Sequence, residues 1–83
     1  MTNSIHTRQY RAFKTLLREL REAKGLTQAQ LAKKLKIPQS AVSKCEAAER
    51  RLDVIELRDW CHVLDVPFLK FMEKLEHRIR HVR

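Results

Sequence analysis

The chain has 83 residues with a formal net charge of +8, and 43% of its residues are hydrophobic, a composition that fits one small globular domain and excludes a disordered chain. Its single glycine and two prolines are too few for the many turns of an all-β domain, so we predict an all-α fold. No apolar stretch approaches the roughly 20 residues that cross a bilayer, and residues 1–10 lack the apolar centre of an export signal, so we expect a cytoplasmic protein with no membrane partner.

The first two predicted helices are separated by the glycine. A helix over residues 7–24 is predicted by apolar residues at spacings of three and four, namely Tyr10, Phe13, Leu16, Leu17 and Leu20. Gly25 ends this helix, because a glycine adopts the left-handed conformation of a helix C-terminus without strain. Thr27 caps a second helix that ends near residue 35, and Gln30 completes a capping box with it. A tight turn follows, since Pro38 disfavours helical geometry in the residue before it.

The third predicted helix covers residues 39–47 and has two different faces. One side carries the apolar residues Ala41, Val42 and Cys45, and the opposite side carries Gln39, Ser40, Ser43 and Lys44. Short uncharged side chains are unusual on a solvated helix, where Glu, Lys and Arg have better helix propensity. Gln, Ser and Lys hydrogen-bond base edges, and a helix fits the roughly 12 Å major groove. The pattern therefore favours DNA readout modestly over an ordinary polar surface.

Two more helices complete the predicted fold. After a polar loop over residues 48–52, Asp53 caps a helix that ends near residue 64, with Trp60 at the margin of its apolar face. Pro67 opens a fifth helix whose apolar stripe is Phe68, Phe71, Met72 and Leu75. Part of this stripe must close the core, and the rest is a candidate homodimer interface. Cys45 and Cys61 fall at apolar positions, so we predict small buried side chains, although their spacing leaves a disulfide open.

The excess positive charge lies in the first part of the chain. Residues 1–51 contain 12 Lys and Arg against 4 Asp and Glu, whereas residues 52–83 contain 6 of each. A surplus confined to one region is typical of a surface that binds a polyanion, although a solubilising surface gives the same count.

Three segments resemble a known family. Residues 20–32, LREAKGLTQAQLA, resemble the start of a phage-repressor/Cro-type (XRE-type) helix-turn-helix DNA-binding domain. QSAVSKCE at residues 39–46 resembles the recognition helix of that family, and VLDV at residues 63–66 resembles the end of its fourth helix. The similarity covers about residues 13–75. We therefore treat residues 1–83 as a single domain with frayed tails at residues 1–6 and 79–83.

The resemblance implies a compact five-helix, repressor-like fold in which helices two and three form the helix-turn-helix, with a double-stranded DNA operator as the partner. It implies DNA contacts at Gln28 on a phosphate, at Gln39, Ser40 and Lys44 on base edges, at Ser43 on a base or the flanking backbone, and at Arg50 and Arg51 on phosphates or the minor groove. It also implies an ion pair between Arg21 and Glu46, which fits the high cost of an unpaired carboxylate at the border of a buried face.

The sequence departs from the family pattern at three positions. Lys36 and Ala48 stand where glycine is usual, and Pro38 stands where a capping Ser or Thr is common. A left-handed Lys36 costs about 1 kcal/mol, which a folded domain tolerates. Because Ala48 replaces a usual glycine, the loop after helix three could follow a different path from that of the family.

We predict a sequence-specific transcriptional regulator, a repressor, that reads the major groove with helix 39–47 as a homodimer. It would be bacterial or phage-encoded and nucleoid-associated when bound. The alternative is the antitoxin of a toxin–antitoxin pair, with a toxin as protein partner, or an interaction adaptor of the same fold. We expect no enzyme and no cofactor, because the sequence has no Ser/His/Asp arrangement, Gly-rich phosphate loop or nucleophilic cysteine signature. Glu73, His77 and His81 share a helix face, but a basic tail explains them better than a metal site.

Overall fold

The computed structural model describes residues 7–81, and within this range the chain forms five helices and no strand. The helices are α1 (Arg8–Ala23), α2 (Gln28–Leu35), α3 (Gln39–Glu46), α4 (Val54–Leu64) and α5 (Phe68–Arg80). The all-α prediction is therefore confirmed. Residues 79 and 80, expected in a frayed tail, belong to α5, whereas residues 1–6, 82 and 83 lie outside the described range.

The ends of α1 are set by local hydrogen bonds. The Thr7 hydroxyl accepts the backbone N–H of Tyr10 at 3.0 Å, which caps the N-terminus. At the other end Gly25 has a φ of +79°, a left-handed conformation that glycine adopts without a Cβ penalty. Gly25 donates its N–H to the carbonyl of Glu22 at 2.9 Å, and Leu26 donates its N–H to the carbonyl of Arg21 at 3.1 Å. These two bonds satisfy carbonyls in the last turn of the helix.

The predicted capping box of α2 is present. The Thr27 hydroxyl accepts the N–H of Gln30 at 3.0 Å, and the Gln30 side chain accepts the N–H of Thr27 at 2.8 Å. Lys36 ends the helix with a φ of 60°, as the turn requires. Ala48 has a φ of 59°, so this alanine adopts the left-handed conformation that glycine favours. Both residues accept a strain of about 1 kcal/mol to keep their turns tight.

All five helices contribute to one core. It consists of Phe13, Leu16, Leu17, Leu31, Ala32, Val42, Cys45, Leu57, Trp60, Cys61, Leu64 and Phe71. Both cysteines are free and buried, as predicted. The expectation for Trp60 is wrong, because the side chain is only 2% exposed. It lies between Leu57 and Leu64 at helical spacing, and α4 packs against both α2 and α5, which widens its buried face.

The apolar stripe of α5 divides between the core and the surface. Phe71 is fully buried, and Phe68 and Leu75 pack partly against the core. Met72 remains 38% exposed and its neighbour Leu69 is 75% exposed. No helix among residues 7–81 is long and apolar enough to span a membrane.

Candidate nucleic-acid interface

The polar face of α3 is displayed to solvent. Its inner side is anchored by Val42 and Cys45, which are 0% and 2% exposed. The outer side carries the exposed residues Gln39, Ser40, Ser43 and Lys44. Within residues 7–81 these four side chains form no hydrogen bond or ion pair with the protein, so their donors and acceptors are available to a ligand. The structure thus brings together the four residues that the sequence predicts on one face of this helix.

The start of α3 adds backbone donors beside that face. Pro38 stands at the N-cap without a side-chain cap, and its carbonyl accepts the N–H of Ala41 at 3.0 Å. The first N–H groups of a helix have no partner within the helix, and the helix dipole makes this end attractive to anions. The N–H groups of Gln39 and Ser40 are therefore oriented to bind an external acceptor such as a phosphate oxygen.

A buried ion pair connects α1 to the end of α3. Nε of Arg21 donates to Oε2 of Glu46 at 2.6 Å, and Nη2 of Arg21 donates to Oε1 at 2.9 Å. Nη1 of Arg21 donates to the carbonyl of Leu26 at 2.8 Å. Arg21 and Glu46 are only 8% and 7% exposed, and the hydrogen bonds to Glu46 raise the pKa of Arg21. This two-point contact fixes both the distance and the orientation between the two helices.

Gln28 joins the same carboxylate. It is the first residue of α2, and its Nε2 donates to Oε1 of Glu46 at 3.0 Å. An amide nitrogen carries two hydrogens, so one N–H remains for a phosphate after the other has bound Glu46. Sequence reasoning missed this contact, because no local spacing relates residues 18 positions apart on different helices.

The loop after α3 treats its two arginines differently. Nη2 of Arg50 donates to Oε2 of Glu56 at 2.7 Å, which raises the pKa of Arg50 and lowers that of Glu56. Arg51 is exposed, and its side chain has no hydrogen bond within the described part of the chain. The two residues were predicted together as DNA contacts, but only Arg51 has an uncompensated guanidinium here. The spacing of Asp53 and Glu56 predicts a capping box, which is the sequence signal that could have placed an acid at the end of the loop that carries Arg50.

The first turn of α1 packs against this loop. Burial raises the pKa of the Tyr10 phenol, and a backbone hydrogen bond with Leu52 opposes that rise. Tyr10 also makes a tilted ring contact with Phe13, at 5.1 Å between centroids. The loop therefore contacts α1 near its own C-terminal end, at Leu52, and is joined to α3 at its own N-terminal end.

The positive charge of the first part of the chain is spread over more than one face. Arg21 and Arg50 are each neutralised by a glutamate. Exposed lysines lie on α2, in the following turn and on α3, and they are Lys33, Lys34, Lys36 and Lys44. Arg8, Arg11 and Arg18 are exposed on α1. The surplus in residues 1–51 is thus larger than the charge beside the polar face of α3.

The histidines near the end of α5 contact each other. The rings of His77 and His81 lie 4.4 Å apart, and Nδ1 of His81 is 2.7 Å from the carbonyl of His77. Among residues 7–81, no group of three or more His, Cys, Asp or Glu side chains is arranged to hold a metal ion.

The arrangement of the helices is similar to that of known proteins. The helix-turn-helix family model HTH_3 matches residues 17–71. An XRE-family-like protein from Pseudomonas syringae pv. tomato str. DC3000 is 48% identical with a TM-score of 0.82, over 90% of this chain and 92% of that chain. A single-residue mutant of the restriction–modification controller protein C.Esp1396I is 25% identical with a TM-score of 0.81, over 90% of this chain and 95% of that chain. No curated protein matched the chain.

The Arg21→Ala variant is expected to lose stability. Removing one partner of a buried ion pair costs about 3 to 5 kcal/mol, because the other charge stays buried without a partner. For a domain of this size such a loss lowers the melting midpoint by more than about 10 °C. The measurement is thermal unfolding followed by the fluorescence of Trp60, the only tryptophan.

The matched control is Arg18→Ala, which removes the same charge from an exposed position on α1 and should leave the midpoint nearly unchanged. The Arg21→Met, Glu46→Leu double variant should recover most of the lost stability, since an apolar pair leaves no buried charge. A midpoint of Arg21→Ala equal to that of the wild type would contradict a structural role for the pair.

Proposed function

This chain belongs to the XRE family of helix-turn-helix proteins, and we propose that it is a sequence-specific repressor that reads double-stranded DNA in the major groove with α3. The family assignment makes it a DNA-binding transcription regulator. Sequence specificity, the sign of regulation and the contacting residues are the further steps that we propose.

One observation carries the proposal: α3 exposes polar side chains that have no partner within the described chain. Gln39, Ser40 and Ser43 are uncharged, so their selectivity depends on hydrogen-bond geometry. Gln pairs in a bidentate manner with adenine, Ser with several base edges, and Lys with guanine. We assign Gln39, Ser40 and Lys44 to base edges, and Ser43 to a base or the adjoining backbone.

Phosphate contacts on either side would fix the register of α3. The remaining N–H of Gln28, which contacts the last residue of α3, and the free N–H groups at the first residues of α3 would supply donors for backbone phosphates. Arg51 supplies a cation in the loop after α3. Contacts of this kind hold the protein on any duplex, and the base contacts then choose among sequences.

Repression would follow from occupancy. A small domain bound across a promoter excludes other proteins from the same grooves, and it needs no catalytic residue to do so. The similarity to a restriction–modification controller protein supports a regulatory role of this type. Such a protein would act in the cytoplasm, associated with the nucleoid when bound.

The test is selection of preferred duplexes from a random pool, followed by binding at several salt concentrations. We expect enrichment of one sequence, with an affinity that falls steeply with salt, since each neutralised phosphate releases counterions. Enrichment of no sequence would contradict the specific regulator.

The variants Lys44→Ala and Arg51→Ala should distinguish base recognition from phosphate binding. Lys44→Ala is expected to relax the preference at particular base pairs, at a cost of about 1 to 3 kcal/mol on the selected duplex. Arg51→Ala should weaken all duplexes to a similar extent and reduce the salt slope by about 1. Competition assays with the selected duplex and single-base variants measure both effects. A uniform loss for Lys44→Ala would contradict its assignment to a base.

The exposed apolar side chains of α5 support a homodimer. Leu69 and Met72 lie three residues apart on one helix face, and both retain large exposed areas. The described part of the molecule measures 34 × 25 × 21 Å. A homodimer formed through this patch would bind two half-sites about 34 Å apart, which is one turn of the DNA groove.

Leu69→Glu is expected to convert a dimer to a monomer, because a buried unpaired carboxylate is costly at an interface. Sedimentation of the wild type and the variant measures this, and Ile55→Glu, at an exposed apolar position on α4, is the control for the added acid. A wild-type chain that is monomeric at all concentrations would contradict the α5 homodimer, and the antitoxin alternative would then assign this patch to another protein.

A further inference from the structure

Arg50 lies in the loop between α3 and α4 and contacts both helices. Its Nη2 donates to Oε2 of Glu56 at 2.7 Å, and its Nη1 lies 3.5 Å from Sγ of Cys45 and 3.4 Å from the carbonyl of Arg51. The other carboxylate oxygen of Glu56 accepts the N–H of Asp53 at 3.0 Å. One guanidinium therefore connects the last turn of α3, the loop and the first turn of α4.

We propose that Arg50 is a positioning residue that holds this loop so that Arg51 meets a DNA phosphate, and that Arg50 itself does not contact DNA. The proposal rests on the proposed DNA-binding function and assigns different roles to two adjacent arginines.

The loop needs such support because its backbone is strained. Ala48 has a φ of 59°, which costs a residue with a Cβ about 1 kcal/mol. The N–H groups of Glu49 and Arg50 both reach the carbonyl of Lys44, at 2.8 and 3.3 Å. These bonds hold the first half of the loop to α3. The hydrogen bonds of Arg50 to Glu56 and to the carbonyl of Arg51 hold the second half of the loop to α4.

Electrostatics favours Arg51 over Arg50 as the phosphate ligand. The Glu56 carboxylate compensates the charge of Arg50 and would repel a phosphate oxygen that approached the same guanidinium. The Arg51 side chain has no such partner within residues 7–81. An arginine side chain has many rotamers, so a loop with a fixed backbone directs it at a smaller cost in entropy than a mobile loop.

The decisive variant is Glu56→Gln. A glutamine retains an acceptor for the N–H of Asp53 but loses the charge that holds Arg50. If Arg50 positions the loop, Arg51 no longer meets its phosphate in this variant. The affinity for the selected duplex then falls by about tenfold, the effect of losing one charge-assisted hydrogen bond. If Arg50 binds DNA, the variant frees its guanidinium and removes a negative charge, so the affinity rises. Unchanged or tighter binding overturns the proposal.

A double-mutant cycle gives an independent measurement. Because Arg50 acts through Arg51, Arg50→Ala together with Arg51→Ala should bind no more weakly than Arg51→Ala alone, with a salt slope reduced by about 1 in both. Additive losses, with a slope reduced by about 2 in the double variant, would show that both arginines contact phosphates and would overturn the proposal.

Arg80→Ala is the control for net charge, because Arg80 is exposed at the end of α5 and the variant loses one positive charge. Melting curves followed by Trp60 fluorescence confirm that each variant is folded. A wild-type chain that selects no duplex defeats the proposed function. A wild-type chain that binds selectively, with Glu56→Gln binding as tightly or more tightly, defeats only the assignment of Arg50.

Discussion

The orientation of α3 depends on one carboxylate, that of Glu46. This residue ends the helix, where the helix dipole disfavours a negative charge, and it is too deeply buried for water to stabilise it. Arg21 supplies the compensating charge from the last turn of α1, where the dipole of that helix favours a cation. Because two parallel hydrogen bonds join the pair, α3 is fixed in angle as well as in distance.

The same carboxylate also accepts the Gln28 amide, so α1, α2 and α3 all meet at Glu46. A core of apolar residues at this point would be about as stable, since buried ion pairs often gain little over a hydrophobic replacement. Unlike apolar contacts, the hydrogen bonds of Arg21 and Gln28 to Glu46 also fix the orientation of these side chains. Gln28 is the residue that we propose binds a phosphate, and its bond to Glu46 restricts the rotation of an amide that has a second N–H to donate. The network therefore connects the stability of the domain to the geometry of its proposed DNA contacts.

Local sequence signals predict the helices, but they do not predict contacts between residues on different helices. Apolar periodicity, the capping box at Thr27 and the glycine at residue 25 each act within a few residues, so all five helices were found close to their bounds. Trp60 was misplaced because its burial depends on α2 and α5 covering α4 from two sides. The pairing of Arg21 with Glu46 came from the family resemblance, not from periodicity. The bond between Gln28 and Glu46 joins two helices whose crossing geometry no sequence spacing reports.

Ion pairs change what the net charge of +8 means for DNA binding. Arg21 and Arg50 contribute to that number, but adjacent glutamates cancel most of their field. In physiological salt the field of the exposed cations near the polar face of α3 extends about 8 Å, and it would attract a duplex of any sequence. The base contacts that we propose for Gln39, Ser40 and Ser43 involve no side-chain charge and would release no counterions, so salt should affect them little. Under the proposed assignments, Arg51 and the exposed lysines of α2 would contribute affinity, Gln39, Ser40 and Ser43 would contribute selectivity, and Lys44 would contribute to both. Salt should therefore weaken binding to every duplex more than it changes the order of preferred sequences.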